Sequence, residues 1–157
     1  LGILLLDLRK PLAIIRRGCM AKKSASRRKP SRREQKELDV EISFIEGLVR
    51  RDPAYLEAWQ LLGDDYTRRG RFAEGLRVDK RLTRLRPKDP LTHYNLACSY
   101  SLTGQIERAA ASLEKAVTLG YRDLRWLARD PDLKNLRAHP LYEKLRARLR
   151  ALAPKGR

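Results

Sequence analysis

Cysteine, histidine and methionine are nearly absent from this chain: its 157 residues hold two, two and one. Cys19 and Cys98 can form no disulfide framework, and no C-x-x-C pair, H-E-x-x-H run or glycine-rich phosphate loop occurs. His93 falls on a helix face and His139 precedes a proline, both structural placements rather than those of a base or ligand. Cys98 has no evident basic neighbour to lower its thiol pKa. The adjacent acids Asp64 and Asp65 point to different sides of any helix, which argues against a carboxylate dyad. The expectation is a non-enzymatic protein with no cofactor and no metal.

Long apolar runs are also missing. Ile3 to Leu6 is interrupted by Asp7, Arg9, Lys10 and Pro11, far short of the roughly 20 apolar residues of a spanning helix. Arg16 and Arg17 stand where a lipoprotein signal before Cys19 needs small or apolar residues. The reading is a cytoplasmic protein without a membrane partner. Acidic residues are scarce at the ends: residues 20–36 carry eight basic side chains and one acidic, and residues 143–157 six and one, of a net charge of +17. The run "MAKKSASRRKPSRREQK" from Met20 to Lys36 has no apolar face to bury and is expected to be disordered. Met20, the single methionine, sits in an ordinary initiation context, so residues 1–19 read as upstream sequence. The expected organisation is a basic tail over 1–33, a helical domain over 34–152 and a short basic tail over 153–157.

What the chain does contain is a repeat. In "EAWQLLGDDYTRRGRFAEG", Trp59, Leu62, Gly63 and Tyr66 follow the i, i+3, i+4, i+7 spacing of one helix face. A shift of 34 residues carries Trp59 to His93, Leu62 to Leu96, Gly63 to Ala97, Tyr66 to Tyr100, Gly70 to Gly104, Gly75 to Ala109 and Leu82 to Ala116. Each unit, about 56–89 and 90–123, reads as two helices: 54–68 with 72–85, and 90–102 with 106–119. Pro53 and Pro90 open the first helices behind the capping acids Asp52 and Asp89. Gly70 and Gly104 permit the left-handed turn that follows. Gly63 with Gly75, and Ala97 with Ala109, let paired helices approach closely. Leu38, Ile42, Ile45, Leu48 and Val49 mark a flanking helix over 34–51, the second half of a missing repeat. Residues 124–152 read as a degenerate cap with a short helix, a restart at Asp130-Pro131 and a last helix near 140–152. Its apolar stripe is Trp126, Leu127, Leu133, Leu136, Leu141, Leu145 and Leu149.

The W-x2-L-G-x2-Y pattern, the small residue in the second helix and Pro87 at the close of the first unit resemble the tetratricopeptide repeat. The chain departs from that pattern at Asp79, where an aromatic is usual, at Gly75 for alanine, and at Tyr121, where the closing proline is missing. The resemblance implies an all-α, short right-handed solenoid of helical hairpins. It also implies a concave groove lined by the first helix of each unit, holding a protein or peptide partner. Carried over by position, that groove takes Glu57, Gln60, Asp64, Thr67 and Arg68 from the first unit, and Leu91, Tyr94, Asn95, Cys98 and Ser101 from the second. Tyr94 would offer an aromatic contact surface beside the amide of Asn95. Family members that clamp a C-terminal carboxylate are matched at Asn95, Arg125 and Arg129, but Gln60 and Asp64 replace the first pair of clamp residues and Asp64 would repel the ligand. The alternative partner is nucleic acid. Arg77, Lys80, Arg81 and Arg84 share a helix face and, with the tail, could neutralise several phosphates, with the repeats as scaffold, although the tail has no aromatics for stacking. A monomer is expected.

Overall fold

In a computed structural model that describes residues 29–152, every regular element is a helix. They are α1 (Arg32–Arg51), α2 (Leu56–Arg69), α3 (Phe72–Leu85), α4 (Pro90–Leu102), α5 (Ile106–Leu119), α6 (Leu124–Leu127), a 3-10 turn (Pro131–Leu133), α7 (Lys134–Arg137) and α8 (Leu141–Leu152). Through α5 each helix packs on the next in sequence. The 3-10 turn and α7 lie against α4, and α8 lies against α5. The expected all-α, hairpin-built architecture is therefore present. The tail residues up to 28 and the C-terminal residues 153–157 lie outside the described residues.

Helix α1 starts earlier than expected, and Arg32 to Lys36, read from sequence as disordered, belong to its first turns. The cause is local. The Glu34 amide donates to Ser31 Oγ (3.3 Å) and the Ser31 amide donates to Glu34 Oε2 (2.6 Å), a capping box that satisfies two free donors at once. The helix then buries Leu38, Ile42, Ile45 and Val49 along one stripe, while Leu48 is half-buried. Helix α2 starts later than expected, at Leu56 rather than behind Pro53. Asp52 accepts from the Ala54 amide (3.0 Å) and terminates α1, so the Asp-Pro pair turns the chain before the next helix begins. Asp89 does cap α4, through the Leu91 amide at 2.8 Å, with Pro90 in the first turn.

The period of 34 is visible in hydrogen bonds that recur at that spacing. The Trp59 indole N–H donates to the Pro53 carbonyl (3.0 Å), and His93 Nε2 contacts the Pro87 carbonyl at 2.8 Å. His93 thus reproduces the polar contact of the tryptophan it replaces, through a smaller ring. At the hairpin turns, Gly70 (φ 83°) and Gly104 (φ 75°) occupy the left-handed region, and Arg71 and Gln105 return their amides to the carbonyls of Tyr66 and Tyr100. Gly75 answers to a close approach: a Cβ there would stand 3.3 Å from Thr67 Oγ1 of α2. In the second unit, Ala97 and Ala109 are both fully buried in one apolar cluster.

Two apolar clusters form the interior. One joins Ile42, Ile45 and Val49 to Ala58, Leu62, Tyr66, Val78 and Leu82. The other runs from Tyr94 and Ala97 through Leu113 and Val117 to Leu133, Leu136, Leu145 and Leu149. The cap supplies the far end of this second cluster. Asp123 caps α6, Asp130 caps the 3-10 turn, and His139 Nδ1 accepts from the Leu141 amide as α8 begins. Trp126 and Leu141 are only partly buried at its margin.

Candidate functional site

On α2 the groove positions remain open: Glu57 and Arg68 are exposed, and Gln60 and Asp64 are half-buried. Arg68 pairs with Asp65 (3.1 Å), so it is less free than its position suggests. Thr67 is a correction. It is buried, donates its hydroxyl to the Gly63 carbonyl of its own helix (2.8 Å) and lies against Gly75 of α3, which places it in the α2–α3 contact rather than in a groove.

On α4 the correction is larger. Tyr94 and Ser101 have no exposed surface and Cys98 only 3%. The broken helix of the cap folds onto this face. Tyr94 donates to Asp130 (2.6 Å) and stacks on Tyr121 with ring centres 4.2 Å apart, and Cys98 Sγ lies 3.9 Å from the same carboxylate. The Asn135 amide donates to the Ser101 carbonyl (2.9 Å), and the Leu136 N–H to the Ser101 hydroxyl (3.3 Å). Tyr94 is thus an interior residue, and burial pushes its phenol far above the usual range. A proline at 131 ends the regular first helix of a third unit early, and the chain returns over the second unit to satisfy these buried polar groups. Leu91 and Asn95 stay half-buried at the margin, and Arg125 and Arg129 are exposed, Arg129 standing 5.6 Å from the centre of the Trp126 ring. The Asn95 Oδ1 is sheltered from solvent, and among the described residues it accepts no hydrogen bond.

The four basic residues of α3 do not act as one stripe. Lys80 reaches toward α4 and lies over the Tyr100 ring (5.6 Å), whereas Arg77 and Arg81 turn toward α1 and border a cleft of about 310 Å³. Arg84 is exposed. That cleft also takes Glu46, Val49 and Arg50 from α1 and Trp59, Leu62 and Tyr66 from α2. Reading one helix at a time could not find it, because its walls come from three successive helices that meet only once they are packed.

Three buried acids carry much of the remaining electrostatics. Asp65 has no exposed surface, and burial, reinforced by the charge of Glu41 and opposed by Arg68, pushes its carboxyl up to about 7. Asp79, in the slot where the repeat pattern has an aromatic, accepts from the Ser99 hydroxyl and so ties α3 to α4. Asp130 ties α4 to the cap, as described above. Among the described residues, no cluster of three or more histidine, cysteine or acidic side chains is arranged to hold a metal ion, and no helix is long and apolar enough to cross a membrane.

No family model matches the chain. It is similar to a chloroplast protein of Arabidopsis thaliana, at 29% identity over 86 residues, 53% of this chain and 26% of that protein. It is also similar to the peroxisomal targeting signal receptors of Komagataella phaffii and Komagataella pastoris, at 31% identity over 91 residues in each case, 57% of this chain and 16% of each receptor. The chain therefore spans about a quarter or less of the length of these curated relatives.

Proposed function

We propose that the chain is a tetratricopeptide-type interaction module that binds a protein or peptide partner along the exposed face of α2 and the adjoining margin of α4. The similarity to receptors named for a targeting signal supports recognition of a peptide, and the 34-residue recurrence of turns and hydrogen bonds supports the repeat type. The observation that carries the reading is the open polar face of α2, where Glu57 is exposed and Gln60 and Asp64 are half-buried. Beside it, the half-buried Asn95 brings a side-chain amide to the margin of α4 that the cap leaves uncovered, a group able to pair with the backbone of an extended peptide. Gln60 and Asp64, which the 34-residue shift places on Tyr94 and Cys98, keep side-chain oxygens on the open face that can accept from peptide N–H groups. Because the cap covers Tyr94, Cys98 and Ser101, the open groove is shorter than two full units and suits a short segment rather than a long one.

A test is selection of peptides from a random display library on the full chain, followed by affinity measurement on Asn95→Ala and Gln60→Ala. Selected peptides are expected to bind each variant at least tenfold more weakly, as loss of one buried hydrogen bond implies. Selection that returns nothing better than scrambled controls, or peptides indifferent to both substitutions, refutes the groove.

A further inference from the structure

We propose a second binding site, on the other side of α2: the cleft between α1 and α3 takes an acidic peptide segment carrying an apolar side chain. The floor is apolar, made by Val49, Leu62, Val78 and Trp59. Trp59 presents its ring there because its N–H is already held by the Pro53 carbonyl (3.0 Å).

The charges in the lining are not balanced. Its two acids are engaged within the molecule: Glu46 accepts from the Tyr66 hydroxyl (2.5 Å) and Glu74 from Arg71 (2.9 Å), with Arg71 also standing 4.7 Å from the centre of the Tyr66 ring. Its three arginines are held by no direct bond, and Arg77 feels Glu74 only through space, after Arg71 has taken that carboxylate's hydrogen bond. Among the described residues, Arg50, Arg77 and Arg81 form no ion pair and no side-chain hydrogen bond, although they come from two different helices and border one cleft. Three unpaired guanidinium groups around an apolar floor match carboxylates flanking an apolar anchor. The same lining disfavours a nucleic acid, since Glu46 and Glu74 would meet a continuous row of phosphates, whereas a peptide can space its carboxylates away from them. This site is independent of the groove on the opposite side of α2, and either can exist without the other.

The test uses the full chain and a short fluorescein-labelled peptide in which a Leu-Phe pair is flanked on both sides by glutamates, read by anisotropy. Saturable binding is expected, with the affinity reduced roughly tenfold or more by R77E/R81E and little changed by R84E/K88E, which alters net charge equally in the last turn of the same helix and just beyond it. A second readout keeps the assay independent of variant folding. In a Trp126→Phe background the emission of Trp59 is expected to shift on peptide addition, and a peptide with Ser-Ser for Leu-Phe is expected to lose that shift. The proposal is overturned if binding does not saturate, or if the two charge reversals weaken it equally. It is also overturned if Asn95→Ala abolishes binding, which would place the peptide in the groove, or if a uridine oligonucleotide binds through Arg77 and Arg81 more tightly than the peptide.

Discussion

Replacing Asp65 by asparagine is expected to make the protein more stable at neutral and alkaline pH, although it removes a member of an ion pair. Asp65 is wholly buried on α2, its one ionic partner is the mostly exposed Arg68, and its second oxygen has no hydrogen-bond donor among the described residues. Burial and the nearby charge of Glu41 raise the carboxyl from 3.8 to about 7 in the folded state. The folded protein therefore holds a proton that the unfolded chain releases near pH 4, so stability falls as pH rises between those values and is lowest above about 7. With each pKa unit equivalent to about 1.4 kcal/mol, the loss across that window is at most on the order of 4 kcal/mol. An amide carries no charge to desolvate and can still accept from Arg68, while its new N–H donors return part of the gain. Urea denaturation followed by circular dichroism at pH 5.5 and pH 8 is expected to show wild-type protein less stable at the higher pH. The variant is expected to be level across the two, with a net gain of about 1–3 kcal/mol at pH 8. Glu41→Gln, which removes the second cause of the shift, is expected to reduce the wild-type slope. A D65N protein that is destabilised equally at both pH values would refute the reasoning, since it would show the carboxylate to be favourably solvated or paired.

Gly47 and Gly75 both lie inside helices but are expected to respond oppositely to alanine. A Cβ at Gly47 meets nothing within 4 Å, so Gly47→Ala is expected to raise stability by about 0.5–1 kcal/mol through helix propensity, whereas Gly75→Ala presses on Thr67 and is expected to gain less or to destabilise; thermal denaturation of the two variants checks this. Tyr94→Phe leaves the buried Asp130 carboxylate without its hydroxyl donor and is expected to cost about 1–3 kcal/mol in urea denaturation, while a Tyr94→Phe protein as stable as wild type would show that the tyrosine does not anchor the cap.

The sequence by itself determined the helices and their pairing, because both are written in local terms. A helix face recurs every 3.6 residues, a left-handed turn needs glycine, and the contact between paired helices needs a small residue, so Trp59 to Tyr66, Gly70, Gly104, Gly75 and Ala109 could be read in one dimension. The start of α1 was local too, in the Ser31 and Glu34 of its capping box, and could have been read from that spacing. The tertiary structure decided which faces stay open. Tyr94, Cys98 and Ser101 occupy the same repeat positions as Gln60, Asp64 and Thr67, yet the cap covers them, because buried hydroxyl and carbonyl groups require partners and residues 130–136 supply them from more than thirty positions away. The buried acids and the cleft bordered by Arg50, Arg77 and Arg81 have the same origin. Whether a charge is solvated, paired or left facing a cleft depends on which distant helix lies beside it, and no local periodicity carries that information.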